Sequence, residues 1–363
     1  MRRTNTLILG GGPAGAAAAI TLARHGAAPL LIERARETGD ALCGGFLSWR
    51  SIDRLETLGV SRDALGGHAI ERVRIFAGTK RGEVPLPGRA VGVSRRKLDT
   101  LLLARAVAQG ACVERGVAAR RAERGRAILA DSAVIACETL FLATGKHDCR
   151  GLARPHGHGD PMLGLRIRLP ASPALTKMLG AAIELHLFRG GYAGLLLQED
   201  GSGNLCMAVG KARLAEAGGD PRRLLAELGD ESRALSERLA LGDIAGSIDA
   251  IGAVPYGWRV RTSEAGLFRL GDQAAVIPSL AGEGMGIALA SGVMAARYHL
   301  AGGRGAAKAF QAALAQRTRI PMMSAGALGA LAATRRGRLA APRLLAAFPT
   351  LGAAIAQLTR IAL

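Results

Sequence analysis

Thr6-Leu7-Ile8-Leu9-Gly10-Gly11-Gly12-Pro13-Ala14-Gly15 runs from an apolar tetrapeptide straight into a glycine turn. Thr6 to Leu9 reads as a buried strand. Pro13 to Arg24 reads as an alanine-rich helix closing at His25-Gly26, where glycine suits a helix C-terminus. Pro29 to Ile32 supplies the next strand, completing one βαβ unit, and parallel strands so joined need helices over the sheet. Gly10, Gly12 and Gly15 hold the GxGxxG spacing. The first permits the tight turn, the second lets a pyrophosphate approach the backbone, and the third packs helix on strand. Free amides and the helix dipole then receive phosphate. Glu33 stands eighteen residues after Gly15, at the end of the second strand, where a carboxylate accepts both ribose hydroxyls. The segment predicts a dinucleotide site, with Arg34 beside the ribose anchor.

The chain around it has 363 residues and is 49% hydrophobic, long enough for two cores. Its longest apolar runs, such as Leu101-Leu102-Leu103, fall far short of the roughly 18 residues that a bilayer span requires. Met1-Arg2-Arg3 passes directly into the first strand without a signal-peptide pattern, so a cytoplasmic protein is expected. Cys43, Cys112, Cys137, Cys149 and Cys206 are odd in number and show no CxxC pairing, which predicts reduced thiols. The net charge of +19 rests on scattered arginines, 42 of them against six lysines. With aromatics at 3%, a stacking surface for single-stranded nucleic acid is not expected.

Ser94 to Gln109 reads as a helix capped by Ser94, with Leu98, Leu101, Leu102 and Val107 on its period. Short strands follow at Cys112 to Glu114, Val117 to Arg121, Ala127 to Leu129 and Leu140 to Ala143. From Met162 the pattern becomes strands divided by glycine, an antiparallel sheet. A helix at Arg222 to Leu241, a strand at Val254 to Trp258, a buried strand at Leu267 to Leu270 and a helix at Gly284 to Leu300 follow. The expected fold is α/β: a discontinuous Rossmann-like domain over 1–75, 93–160 and 260–302, an inserted antiparallel sheet over 76–92 and 161–259, and a helical C-terminal segment over 303–363.

Leu142-Ala143-Thr144-Gly145, the later Gly271-Asp272, Pro278, and Gly282-Glu283-Gly284-Met285-Gly286 complete a recognisable set. With the first turn they resemble the flavoproteins of the glutathione-reductase-type FAD fold. That resemblance implies FAD as cofactor, held by Gly10, Gly12, Pro13, Ala14, Gly15, Glu33, Arg34, Thr144 and Gly145. It places Asp272 on the ribityl chain, and Gly282, Gly284, Met285 and Gly286 at the flavin pyrimidine. A helix N-terminus there stabilises the negative charge of a reduced flavin.

Cys43-Gly44-Gly45-Phe46-Leu47-Ser48, Ser94-Arg95-Arg96-Lys97-Leu98-Asp99 and Pro255-Tyr256-Gly257 look like the geranylgeranyl-reductase branch, kin of the aromatic hydroxylases. The resemblance covers about residues 1 to 300. It implies Arg95 near the diphosphate, and Cys43 and Gly44 near the isoalloxazine. Cys43 reads equally as a small buried hydrophobe. Tyr192, in Gly190-Gly191-Tyr192-Ala193-Gly194, is similar to the tyrosine segment lining the prenyl-reductase cavity, and reads equally as an ordinary sheet residue; Cys43 and Tyr192 are the two catalytic candidates. After Ala143-Thr144-Gly145 the hydroxylase element tied to NAD(P)H is replaced by Lys146-His147-Asp148-Cys149. No second GxGxxG follows, so NAD(P)H is expected only as a transiently docked reductant. His147, Asp148, Cys149, His156, His158 and Asp160 are interleaved with Pro155, Gly157 and Gly159, which predicts a polar loop and no metal site.

The expected reaction is geranylgeranyl-reductase-like, the reduction or oxidation of an apolar polyprenyl or lipid-like substrate by hydride transfer at flavin N5; the alternative is hydroxylation of an aromatic or polyketide-like compound. A basic binding protein with incidental redox activity is the third class. The C-terminal arginines Arg335, Arg336, Arg338, Arg343 and Arg360 lie among Leu, Ala and Phe348. They fit either packing over the substrate domain or peripheral contact with an anionic membrane, at its inner face.

Overall fold

The opening run forms the strand Arg2–Leu9, fully buried over its apolar half. It pairs in parallel with Leu30–Glu33 on one side and Val134–Leu142 on the other. This computed structural model describes residues 1–155, 161–242 and 247–362. Cys112–Arg115 extends the first sheet in parallel beyond Leu30–Glu33. Leu267–Arg269 joins it in parallel beside Val134–Leu142, more than a hundred residues later in the chain. An antiparallel pair, Arg126–Leu129 and Ala119–Glu123, leans on its far edge.

Helix Pro13–Arg24 covers this sheet and lies against the late helix Gly284–Gly302. The approach is close enough that a Cβ on Gly292 would stand 2.3 Å from the Ala14 carbonyl oxygen. Helix Arg95–Ala108 begins at Ser94, whose hydroxyl accepts from the Lys97 amide at 3.1 Å. Phe141 and Phe268 stack at 4.8 Å beneath these helices, with the His299 ring edge-on to both.

The second sheet has eight strands in the order Asp249–Val254, Met162–Leu169, Gly203–Gly210, Gly191–Leu197, Ala182–Phe188, His68–Ala77, Lys80–Gly92, Phe46–Leu47. It is antiparallel except where Ala182–Phe188 meets His68–Ala77 in parallel. Helices Pro221–Glu231 and Arg233–Leu239 back it through an apolar cluster that includes Leu224, Leu225, Leu228 and Leu235. Glu184 is fully buried at its centre, accepting from Arg74 Nη1 at 2.6 Å and from Arg238 Nε and Nη2 at 2.8 and 2.9 Å. Its carboxyl lies at about 2: burial pulls upward, and the hydrogen bonds from Arg238 and His186 pull harder downward.

Several boundaries differ from the sequence reading, among them the starts of Arg2–Leu9 and Val134–Leu142, read at Thr6 and Leu140. The second sheet takes in His68–Ala77 and Phe46–Leu47, so it begins before residue 76. Glu71, Arg72 and Arg74 interrupt the apolar alternation that would have announced that strand. The helix read over 222–241 breaks at Ser232, which turns extended and caps the following helix at Leu235. The strand read at 254–258 lies earlier, at Asp249–Val254, because Pro255 offers no amide and the chain turns there. The strand read at 117–121 sits at Ala119–Glu123. His156, His158 and Asp160 lie outside the described residues.

After Gly302 come helices Ala307–Arg317, Arg319–Ala333, Arg335–Ala347 and Pro349–Leu358. The last two lie on strand Lys80–Gly92. A Cβ on Gly82 would stand 1.9 Å from the Pro342 carbonyl oxygen, so glycine admits the helix there.

Candidate active site

The glycine turn is built from close backbone contacts. Gly10 adopts φ +105, and a Cβ there would lie 2.5 Å from the Ala143 carbonyl oxygen. A Cβ on Gly15 would lie 2.0 Å from the Gly10 carbonyl oxygen. Gly12 is held open: its Cβ position meets only Arg95 Nη2, at 3.2 Å. The guanidinium of Arg95 therefore stands over the turn, locked by Asp99 through bonds of 2.9 and 2.7 Å. Burial works against its charge, but Asp99 more than offsets it and keeps Arg95 protonated. Glu33 accepts from the Gly11 amide at 2.7 Å and the Ala35 amide at 2.9 Å, which fixes its carboxylate beside the turn.

Two cavities meet here. One, of about 570 Å³, lies along Gly10, Glu33, Arg34, Asp40, Thr144 and Lys146. The other, of about 210 Å³, lies between the two sheets, bounded by Pro13, Ala14, Cys43, Gly44, Tyr192 and Met207. Gly12, Arg95, Gly145 and Asp272 line both. Gly44, Gly145 and Gly284 each have open space where a side chain would stand. Together these features fit an extended dinucleotide with its diphosphate at the Gly12–Arg95 junction and its flat end in the second cavity.

Gly282, Gly284 and Met285 border the second cavity, whereas Pro278, Gly15 and Gly286 do not. Pro278 starts the short turn Ser279–Ala281. A Cβ on Gly286 would collide with Glu283 Oε1 at 2.2 Å. Glu283 is fully buried, faces Arg360 at 3.4 Å, and accepts from the Ile361 amide at 3.2 Å. Desolvation raises its pKa, with Arg360 opposing. Arg360 also donates to the Ala281 carbonyl at 2.6 Å and lies over Phe46 and Trp49. The glycine spacing of this motif thus serves an internal carboxylate as well as the cavity.

The cavity wall holds two phenols. Tyr256 shares a hydrogen bond with the Ser279 hydroxyl at 2.5 Å, and burial pushes its pKa to about 12. Burial raises Tyr192 well above 10. Both are hydrogen-bond donors near neutral pH. The carbonyl of Cys43 accepts from Asn204 Nδ2 at 2.9 Å, and Cys206 on the same wall is pushed by burial to about 12. Asp148 pairs with buried Arg154 at 2.7 Å, and among the described residues no group of three or more metal-ligand side chains gathers.

Residues 3–147 match the FAD binding domain family. The chain is an FAD-dependent oxidoreductase. This flavoenzyme is 28% identical over 325 residues to a menaquinone reductase of Mycolicibacterium smegmatis, covering 83% of the chain and 77% of that protein. Its fold matches PqsL of Pseudomonas aeruginosa, solved with 2-aminobenzoylacetate, at a TM-score of 0.74 and 18% identity, over 94% and 100% of the two chains. It also matches the flavin-dependent brominase Bmp2 at a TM-score of 0.79 and 16% identity, over 98% and 93%.

Glu283, Arg360, Asp99 and Asp40 carried no role at this site in the sequence reading. Asp99 stood four residues from Arg95 within a helix, an (i, i+4) spacing that brings opposite charges together. Asp40 accepts from the Arg95 amide at 2.9 Å and from Arg166 Nη1 at 3.1 Å, a tertiary contact with no local signal.

Proposed function

We propose that this flavoenzyme is a monooxygenase that hydroxylates a small aromatic or polyketide-like compound in the apolar cavity, with NAD(P)H docking transiently as reductant. The observation that carries the reading is the junction at Asp272 and Gly12, where the nucleotide cleft opens into a cavity walled by Tyr192, Tyr256, Met207 and Ile183. PqsL, described as a probable FAD-dependent monooxygenase, and Bmp2 share the fold, and PqsL was solved with an aromatic ligand.

When bound, the flavin supplies two-electron chemistry and the activation of oxygen. Protein groups do the rest. Gly12 and Arg95 take the diphosphate, Glu33 the ribose, and Asp272 the ribityl chain. The N-terminus of helix Gly284–Gly302 faces developing negative charge. Tyr192 and Tyr256 keep their protons and donate to a substrate oxygen, which orients the ring without removing a proton from it. The apolar wall excludes water, strengthening each of these polar contacts.

A second reading, reduction of a prenylated quinone or another polyprenyl substrate, is favoured by the menaquinone reductase relative. Turnover under labelled dioxygen separates the two, with 2-aminobenzoylacetate and menaquinone offered as substrates. One labelled oxygen in an aromatic product is the outcome expected. Stoichiometric quinone or side-chain reduction at full rate without oxygen would replace the first reading with the second.

A further inference from the structure

No aspartate or glutamate occurs after Glu283, while Arg297, Arg304, Lys308, Arg317, Arg319, Arg335, Arg336, Arg338, Arg343 and Arg360 do. Ten of the nineteen net positive charges therefore fall in the last eighty residues. Among the described residues, Arg360 is the only one of these cations in an ion pair within 4.0 Å.

The same segment turns apolar side chains outward. Helix Arg335–Ala347 presents Gly337, Ala341 and Leu345 inward, and Arg336, Leu339 and Arg343 outward, at helical spacing. Helix Pro349–Leu358 exposes Leu351 and Leu358, and helix Arg319–Ala333 exposes Ile320, Met323 and Leu331. Met323, Leu331, Leu344, Phe348, Leu351 and Leu358 are each 46–63% exposed, more than a scattered surface leucine explains. The three helices pack on one another, and the last two bend by 111° at their junction. Among the described residues, no single helix is long and apolar enough to cross a membrane by itself.

On their inner side these helices support the cavity. Ala332, Ala341 and Leu345 share one apolar cluster with Leu185, Tyr192 and Leu280, which line it. One helix diameter, roughly 10 Å, separates the outward arginines and leucines from the cavity wall.

We propose that helices Arg319–Ala333, Arg335–Ala347 and Pro349–Leu358 form a docking surface for an anionic lipid bilayer, which sets the wall of the substrate cavity against the membrane. Arginines free of acidic partners meet the headgroups, and Leu344, Phe348 and Leu351 enter the acyl boundary. A substrate dissolved in the bilayer then reaches the cavity without crossing bulk water. The surface serves an apolar substrate under either reaction above, so it does not depend on which is correct.

Flotation of the full-length, FAD-loaded protein with lipid vesicles tests this. Binding is expected to phosphatidylcholine vesicles carrying about 30% phosphatidylglycerol, and not to phosphatidylcholine alone. Arg336→Gln with Arg343→Gln is expected to weaken partitioning about 30-fold. Leu344→Ser, Phe348→Ser and Leu351→Ser together are expected to remove the binding that survives high salt, with FAD content unchanged as the check on folding. Three outcomes overturn the proposal. One is absence of binding to anionic vesicles, and another is equal binding to DNA. The third is a dimer, seen by light scattering, that the three serine substitutions dissociate, because a second copy would then be the occupant.

Discussion

Replacing Arg360 by Met removes the nearest cation from the buried carboxylate of Glu283, with Arg54 the remaining positive charge that acts on it. Arg360 is the cation 3.4 Å from a fully buried Glu283, and its guanidinium also lies over the Phe46 and Trp49 rings. Without it, Glu283 cannot remain ionised at the cost of the whole desolvation energy, since it can take up a proton instead. Protonation therefore caps the electrostatic penalty. From the ordinary value of 4.5, the cap is about 3 kcal/mol near pH 7 and below about 1 kcal/mol near pH 5. The sign follows. A carboxyl whose folded pKa is raised binds more protons folded than unfolded, so the variant's deficit grows as pH rises above 4.5 and levels off beyond the raised value. Loss of the ring contacts adds roughly 1 kcal/mol, independent of pH. Urea unfolding of wild type and Arg360→Met at the two pH values measures this. Adding Glu283→Gln should remove the pH dependence. A deficit equal at both pH values would refute the reasoning, because Glu283 would not be the group that responds.

Two further outcomes are expected. Glu33→Gln should raise the FAD dissociation constant about 10- to 100-fold, the range for losing one charge-assisted contact; fluorescence titration measures it, and a change under about twofold would move the ribose anchor elsewhere. Glu184, held at about 2, contributes roughly 3 kcal/mol that is present above 4.5 and lost as pH falls toward about 2. Glu184→Gln should flatten that acid limb in urea melts while costing about 3–5 kcal/mol near neutral pH, as half-buried Arg74 and buried Arg238 lose their shared partner.

The nucleotide half of the molecule was legible because its signals are local. Apolar strand, glycine turn, alanine helix and Glu33 lie within one stretch, each constraining the next. Asp272 and Gly282–Gly286 were legible through their likeness to a family. The second sheet was harder to read. Strand His68–Ala77 carries charges that pair with neighbours across the sheet, so burial follows partners rather than alternation. Glu184 reads as a polar strand residue until Arg74 and Arg238, from two distant segments, are seen to converge on it. Arg360 belongs to a tail whose composition suggests a surface, yet it is sealed beneath the glycine loop.

Helix Pro13–Arg24 buries ten residues, largely against a helix that ends at Gly302. During synthesis its alanine face emerges some 280 residues before that partner exists. At translation rates of about 5–20 residues per second, the interval lasts roughly 15–60 s. The inserted sheet has time to fold in that window, while the nucleotide site waits, open along one side. The nascent chain is therefore a client for whatever shields apolar surface at the ribosome, and the flavin can be captured only once helix Gly284–Gly302 has been made.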